Sequence, residues 1–249
     1  MPEPDTHTTA LYKRPPIVEA AIEVKFESEL EPEALAALVD FVSQDFPNKT
    51  ERHHYKIDAS NPMQPRISSV SPRTSLTDEE ACRTIFLSST TYLFGQKPPY
   101  NGWDKYCQWV SVYLDKLLKK SPFRKVSRIG MRYVNRIDIP TNDSLIYESE
   151  YLNIFITLPD YFPPFENYGI NMNVADSVLN GFISIRTGLA TSPLLDHAAL
   201  LLDIDVYKDK ELPVRADRIM ELLHLMNGRA VAAFEQSITD KTRDLFRGD

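Results

Sequence analysis

Three arginines in the segment RIGMRYVNRIDIP, residues 128–140, have the type and spacing to do chemistry: Arg128, Arg132 and Arg136 recur at every fourth position. Successive side chains of a strand point to opposite faces. If this apolar, β-branched stretch is a strand, all three guanidinium groups therefore lie on one face. Guanidinium forks bind carboxylates and phosphates with paired hydrogen bonds, so the pattern predicts a face suited to anions or to a polar ligand.

The same spacing also has a structural explanation. Glutamates 19, 23 and 27 recur at every fourth position in an earlier alternating stretch. If the two strands are antiparallel neighbours, these glutamates lie opposite arginines 136, 132 and 128 and form a cross-strand charge ladder. Both interpretations stay open, because a ladder that borders a cavity can still bind a polar ligand. The candidate polar or anion-binding face comprises Arg128, Arg132, Arg136, Glu19 and Glu23.

Two aspartates form a weaker candidate. Asp203 and Asp205 in LLLDIDVY share one strand face, as two metal-binding carboxylates would require. No third acid or histidine follows at a recognisable metal-ligand spacing. We therefore predict no metal site, and expect a structural role in which arginines such as Arg186 pair with these carboxylates.

A histidine and an asparagine on the last predicted helix form another weak candidate. His224 and Asn227 lie about one helical turn apart, and His224 could act as a general base. A hydrogen-bonded histidine on a helix explains the same residues without catalysis. The chain has no glycine-rich phosphate loop, no G-x-S-x-G elbow, no H-E-x-x-H motif and no Cys/His nucleophile pairing in sequence. We predict no cofactor, and a binding role rather than an enzymatic one.

The elements that position these residues follow from apolar periodicity. Alternation predicts strands, and apolar residues at helical spacing predict helices. In chain order we predict a strand at 17–26, a helix from Pro32, one or two short strands in 52–76, a strand or hairpin at 83–95, a helix at 103–120, a long strand at 126–139, a short helix and a strand in 144–158, a hairpin at 169–188, a strand at 197–207 and a long helix over 214–246. That last helix is expected to kink at Asn227 and Gly228 and to break and restart within SITDK, residues 237–241.

This order of elements occurs twice and predicts an α+β fold. Two β-α-β-β-(β)-α pseudo-repeats, at 15–121 and 124–246, would join into one continuous curved antiparallel sheet with helices on one face. The architecture would be TATA-binding-protein-like or helix-grip-like; an α+β sandwich without pseudo-symmetry is the alternative. Residues 1–14 are predicted to be a flexible tail, and 15–249 a single domain.

Charge and composition restrict the partners. The net charge is −7 at pH 7 with a pI of about 5.3, a field that repels phosphate backbones and anionic membrane surfaces. No apolar run is long enough to span a bilayer, and the N-terminus lacks the apolar core of a signal peptide. Two cysteines without paired spacing favour a reducing compartment. We expect a cytoplasmic protein that binds neither nucleic acid nor membrane.

Three segments together carry a family resemblance: RPPIVEAAIEVKF, RIGMRYVNRIDIP and LLHLMNGRAVAAFEQSITDKTRDLF. The chain resembles an uncharacterised prokaryotic family of similar length, sporadically distributed among bacteria and archaea and without an established activity. The resemblance covers nearly the whole chain. It implies a single fold and a cytosolic location, and it implies no catalytic residue. Its patchy distribution implies a mobile or defence locus, such as a toxin–antitoxin system.

These observations predict a binding or interaction protein. Its charged sheet face would dock a protein partner, a second copy of the chain or a small polar ligand, with a regulatory or antitoxin-like role as the most concrete form. The alternative is an enzyme or small-ligand carrier of helix-grip type. In that alternative, the long C-terminal helix closes a cavity that His224, Asn227 and the arginines border.

Overall fold

A computed structural model describes residues 12–58, 66–121, 125–141, 147–161 and 167–247; for residues 52–58 and 66–72 it describes the backbone alone. These residues form an α+β fold with one open antiparallel sheet, which confirms the predicted fold class. The elements are β1 (Ile17–Phe26), α1 (Pro32–Ser43), β2 (Asn48–Asp58), β3 (Arg66–Asp78), β4 (Arg83–Leu87), β5 (Thr91–Gln96), α2 (Trp103–Lys120), β6 (Val126–Pro140), a 3-10 helix (Glu148–Glu150), β7 (Gly169–Asp176), β8 (Gly181–Ala190), β9 (His197–Lys208), α3 (Ala216–Ser237) and α4 (Asp240–Arg247).

The strand order places the two halves of the chain side by side in one sheet. The nine described strands pair in the order β2-β3-β4-β5-β1-β6-β9-β8-β7. β1 and β6, the first strands of the two repeats, are antiparallel neighbours at the centre. From this centre, strands follow in reverse chain order on both sides, because each half places its last strand beside its first. The two halves of the sheet therefore have the same connectivity.

The core lies between the sheet and the helices. On β6 the side chains of Ile129, Met131 and Ile137 are fully buried, and on β1 those of Ile22 and Val24 are fully buried. Each such side chain contributes about 1.5–3 kcal/mol when it leaves water. This burial confirms that alternate residues of both strands form the helix-facing side of the sheet.

The helices bury the stripes that their sequences predict. On α1 the buried residues are Leu35, Leu38, Val39 and Val42, and on α2 the largest include Trp103, Tyr106 and Trp109. Pro32 occupies the first turn of α1, where its missing N–H leaves no hydrogen bond unmade. In the described ranges, no helix combines the length and the apolar character needed to cross a bilayer.

Two segments differ in detail from the prediction, and a third, 83–96, decides between its two predicted alternatives. The short strands expected in 52–76 belong to longer ones, β2 and β3, of 11 and 13 residues. Residues 83–96 form a hairpin, β4–β5. In the described part of 144–158 there is a 3-10 helix and no sheet strand, because this segment pairs with the α3–α4 junction instead: Leu152 bridges Ile238, and Asn153 N donates to Ser237 O.

The predicted break near the C-terminus is confirmed. α3 ends at Ser237 and α4 starts at Asp240. Thr239 Oγ1 accepts a hydrogen bond from Thr242 N at 3.4 Å, whereas Ser237 Oγ donates to Ala233 O. Thr239 is therefore the capping residue. α3 runs uninterrupted through Asn227 and Gly228.

Candidate functional site

The predicted arginine face exists on the side of the sheet without helices. β6 alternates as expected, so Arg128, Arg132 and Arg136 are partly exposed while their neighbours Ile129, Tyr133 and Ile137 are buried. In the described chain this open face is not covered by a helix. Its chemistry depends on which charges the neighbouring strands bring to it.

The register differs from the predicted glutamate ladder by two residues. Arg132 lies opposite Ala21, Arg128 opposite Lys25, and Glu23 opposite Gly130. A shift of two residues leaves every side chain on its own face, so the apolar pattern could not distinguish the two registers. Gly130 makes the observed register workable, because a β-carbon there would overlap the Arg128 guanidinium that folds over it.

Arg128 belongs to a cluster in which carboxylates outnumber guanidinium groups. Its Nη1 donates to Glu23 Oε1 at 2.5 Å, and its Nη2 donates to Asp205 Oδ2 at 2.7 Å. The guanidinium also lies 4.7 Å from the centre of the Tyr207 ring. Burial raises the pKa of Asp205, and Arg128 opposes that shift only in part. Lys25 Nζ also lies 3.3 Å from Glu23 Oε1, so Arg128 has its charge balanced by the protein itself.

Arg132 belongs to a second cluster, in which two guanidinium groups share one directly bound carboxylate. Its Nε and Nη2 donate to the two oxygens of Asp203 at 2.7 and 2.8 Å, and Arg186 Nη1 lies 3.6 Å from the same carboxylate. This pairing is the arginine-bound role expected for Asp203. The hydrogen bonds that Arg132 donates to Asp203, with a smaller electrostatic contribution from Glu19, raise the pKa of Arg132. Two guanidinium groups thus share one buried carboxylate.

The third arginine is also paired within the chain. Arg136 Nε donates to Asp138 at 3.0 Å, and Ser192 Oγ donates to the same carboxylate at 2.8 Å. All three predicted arginines therefore bind carboxylates of this protein, of which only Glu23 belongs to the predicted ladder. Among the described residues, no three side chains of metal-ligating type come together, around Asp203 and Asp205 or elsewhere.

A second site lies on the other side of the sheet. A half-open cavity of about 990 Å³ is bordered by α3, by the start of α2 and the loop before it, by β1, β6 and β9, and by the segment 12–16. Five aromatic side chains contribute to its wall: Tyr12, Tyr100, Trp103, Tyr133 and Phe234. The helix-grip alternative expects a cavity at this position, between the sheet and the long C-terminal helix, but the arginines expected to border it lie on the other face of the sheet.

Local backbone geometry places the aromatic residues at this cavity. Gly102 adopts φ of 91° just before α2, a conformation that favours glycine, so the chain turns directly into the helix with Trp103 at the cavity wall. On the opposite side, Tyr12 packs edge-on against Phe246 of α4 and donates a hydrogen bond to Glu235 of α3 at 2.9 Å. Tyr12 belongs to the predicted tail, most of which, residues 1–11, lies outside the described residues.

Phenol hydroxyls link the sheet to α3 inside the cavity. Tyr133 OH donates to Asn227 Oδ1 at 2.9 Å, and Tyr100 OH lies 3.1 Å from Tyr133 OH. Burial raises the pKa of both tyrosines, so the phenols are neutral and act as hydrogen-bond donors. Asn227, a weak candidate in the sequence, is therefore part of this wall.

His224 lies beside the cavity rather than in its wall. Its Nδ1 accepts a hydrogen bond from Trp103 Nε1 at 3.0 Å, and its Nε2 lies 3.6 Å from Cys107 Sγ. This contact brings together a cysteine and a histidine that are not paired in sequence. Burial raises the pKa of Cys107, which disfavours the thiolate needed for nucleophilic attack. The geometry supports the hydrogen-bonded, non-catalytic role for His224.

Sequence reasoning did not find Tyr100, Tyr133 and Asn135 as site residues. Asn135 carried a usable signal, since it is a polar residue on the helix-facing side of the central strand β6 and is only 2% exposed. Polar side chains at such positions need hydrogen-bond partners. The two tyrosines carried no such signal, because aromatic residues are ordinary in a core.

Comparisons with known proteins assign the chain neither a family nor a function. No protein-family model matches the chain, and no curated protein matches it. Among similar solved structures, DynU16, a putative protein in the dynemicin biosynthetic locus, is 14% identical over 87% of this chain and 98% of its own, with a TM-score of 0.19. The S. pombe Pct1 RNA triphosphatase, solved with the Spt5 CTD, is 10% identical over 97% and 90%, with a TM-score of 0.15. TM-scores this low carry no inference about function.

Proposed function

We propose that this protein binds a small molecule in the cavity under α3. The observation that carries the proposal is the cavity itself: about 990 Å³, with a wall of aromatic, proline and aliphatic residues and several polar side chains. Sites for small molecules typically have this size and this combination of an apolar wall and few polar groups. Of the two predicted binding modes, the helix-grip carrier is the one this geometry favours.

The contrast with the arginine face supports this choice. On the open face, Arg128, Arg132 and Arg136 already hold carboxylates of the protein, so an incoming anion must displace them. In the cavity, the amide of Asn227 has donor capacity beyond its bond with Tyr133. A ligand gains most binding free energy from polar groups that the protein holds in place but that have no hydrogen-bond partner in the protein.

Filling the cavity is expected to weaken ligand binding. Val231 on α3 lines the cavity, so Val231→Phe places a ring in the ligand's volume. Overpacking of this kind is expected to weaken affinity for Nile red, a neutral fluorescent dye, about tenfold or more. Titration of the purified protein with the dye, followed by its fluorescence, measures the change.

A matched control separates the cavity from the outer surface. Val112 on α2 is 45% exposed and does not line the cavity, so Val112→Phe adds the same ring without occupying it. We expect this variant to bind Nile red as the original protein does. Equal dye affinities in the two variants would rule out the cavity as the binding site.

The open face supports a second candidate, the docking of an acidic protein partner. Its carrying observation is the cluster in which Arg132 and Arg186 share Asp203, because two positive charges there face one carboxylate. The side chain of Arg186 is 51% exposed, and guanidinium groups hold more donors than this one contact uses. A regulatory or antitoxin-like role would use this face.

An acidic peptide tests this second candidate. Hexaglutamate is expected to bind at low ionic strength, and Arg186→Ala is expected to weaken it about fivefold, the scale of one exposed charged pair. Arg218→Ala, on the outer side of α3 where Arg218 pairs with Glu221, is the control. Fluorescence anisotropy of a labelled peptide gives both affinities, and an unchanged affinity in Arg186→Ala would reject docking at this cluster.

A further inference from the structure

We infer that the cavity takes a neutral aromatic molecule that carries a carboxamide or an equivalent group with a hydrogen-bond donor beside an acceptor. The inference rests on the proposed function, since it names the chemical class of ligand for the same cavity. Its basis is one acceptor and one donor on the wall that the described residues leave without a partner.

The acceptor belongs to Asn135. Its Nδ2 lies 3.1 Å from Leu202 O and 3.5 Å from Tyr133 O. Both neighbours are carbonyl oxygens, which accept and cannot donate, so the amide must turn its Nδ2 toward them and its Oδ1 away. Within the described part of the chain, no group donates to this Oδ1. The residue as a whole is only 2% exposed and lines the cavity, so its Oδ1 can accept a hydrogen bond from a molecule in the cavity.

The donor belongs to Asn227. Its Oδ1 accepts the hydrogen bond from Tyr133 OH, and its Nδ2 donates to no described residue. Asn227 also lines the cavity. Tyr133 and Asn135 are alternate residues of β6, so their side chains leave the same face of the sheet about 7 Å apart. The phenol of Tyr133 therefore holds the Asn227 amide at the same cavity wall to which Asn135 contributes.

The aromatic residues of the same wall suit a flat apolar body beside the carboxamide. Tyr100 and Tyr133 contact edge to face, with ring centres 5.8 Å apart, and Trp103 continues this aromatic surface along the cavity. At the other end, Tyr12 and Phe234 contact edge to face at 6.5 Å. Aromatic ligands stack on such surfaces and gain more than their buried area alone provides.

The charges around the cavity favour a neutral ligand. Glu235 and Asp104 line the cavity, with Lys13 as the cation among the described lining residues. An anionic ligand would therefore enter a site with more negative than positive charge. Glu235 already accepts hydrogen bonds from Tyr12 and from Arg243, at 2.9 and 3.0 Å, so its charge is compensated and does not call for a cationic ligand.

Three probes of one shape test the inference: naphthalene-2-carboxamide, naphthalene-2-carboxylate and 2-methylnaphthalene, titrated by saturation-transfer NMR. The carboxamide is expected to bind about tenfold more tightly than either of the other two probes, because one well-placed hydrogen bond changes the binding free energy by that amount. Asn227→Leu and Asn135→Leu are each expected to remove this preference while Nile red still binds. Asn227 is only partly buried, so its variant keeps the test valid if Asn135→Leu misfolds.

Asn171→Leu is the matched control, because Asn171 is an exposed asparagine on the edge strand β7. This variant should prefer the carboxamide probe to the same extent as the original protein does. Equal binding of all three probes, with Nile red binding still lost in Val231→Phe, would overturn the ligand class and leave the proposed function in place. Failure of Nile red and of every probe to bind would overturn both.

Discussion

Asp176→Ala is expected to lower the free energy of unfolding by about 3 kcal/mol, since it removes two charged hydrogen bonds and leaves a partly buried arginine unpaired. Asp176 ends β7 with a side chain 1% exposed. Its Oδ2 accepts from Arg229 Nε at 2.6 Å, and its Oδ1 accepts from Leu179 N at 2.8 Å. One carboxylate thus closes the β7–β8 turn and ties α3 to the sheet.

A conservative change separates the two contributions. Asp176→Asn keeps an oxygen for Leu179 N but loses the charge that faces Arg229, so about half of the destabilisation should remain. Asp209→Ala, at an exposed position after β9, is the control and should change stability little. Urea unfolding followed by circular dichroism measures all three; an Asp176→Ala protein as stable as the original would show that the pair does not hold α3.

This anchor also matters for the proposed site. Arg229 lies between Asn227 and Ala230, both of which line the cavity. Loosening α3 at Arg229 should therefore weaken Nile red binding in folded Asp176→Asn protein, although Asp176 does not line the cavity. The dye titration proposed for Val231→Phe measures this effect as well.

Asp203→Asn is expected to cost about 2 kcal/mol, whereas Asp205→Asn, two residues away, should cost less than about 1 kcal/mol. Asp203 is shared by Arg132 and Arg186, so its loss leaves two guanidinium groups without their carboxylate. Loss of Asp205 still leaves Arg128 paired with Glu23. Urea unfolding at pH 7 compares the two, and equal costs would contradict the charge balance assigned to the clusters.

The buried position of Asp205 predicts that the stability of the protein depends on pH. Burial raises the pKa of Asp205 in the folded protein above its ordinary value, which is about 3.9 in unfolded chains. Between the unfolded and the folded pKa, the folded state binds the proton of the Asp205 carboxyl more tightly than the unfolded state does. The contribution of Asp205 to stability therefore falls as the pH rises through its folded pKa. Stability measured from pH 4 upward should therefore decline relative to Asp205→Asn, and a relative increase would contradict the shift.

Much of the fold could be predicted because local patterns determine it. Alternation in β1 and β6 assigned residues to faces, and apolar residues at helical spacing predicted α1 from Pro32 and α2 over 103–120. The adjacency of β1 and β6 followed from the repeated order of elements. These properties depend on short-range periodicity, because the backbone geometry of a strand or a helix fixes which residues share a face.

The candidate sites were predicted less completely. The arginine face was placed on the correct side of the sheet, but its partners Asp203 and Asp205 lie on β9, and only Glu23 came from the predicted strand. A two-residue difference in register changes every cross-strand partner and no face. Partners of this kind are therefore set by pairing along the whole strand and by local features such as Gly130.

The sequence by itself determined the class of fold, the order of its elements and the face on which each strand residue lies, because those follow from periodicities of two and about 3.6 residues. Only the tertiary structure decided the strand register and the cavity. The cavity wall brings together Tyr100, Tyr133 and Asn227, which lie far apart in sequence and carry no common local pattern. Their joint position results from how α2 and α3 pack on the sheet, and no local periodicity encodes that packing.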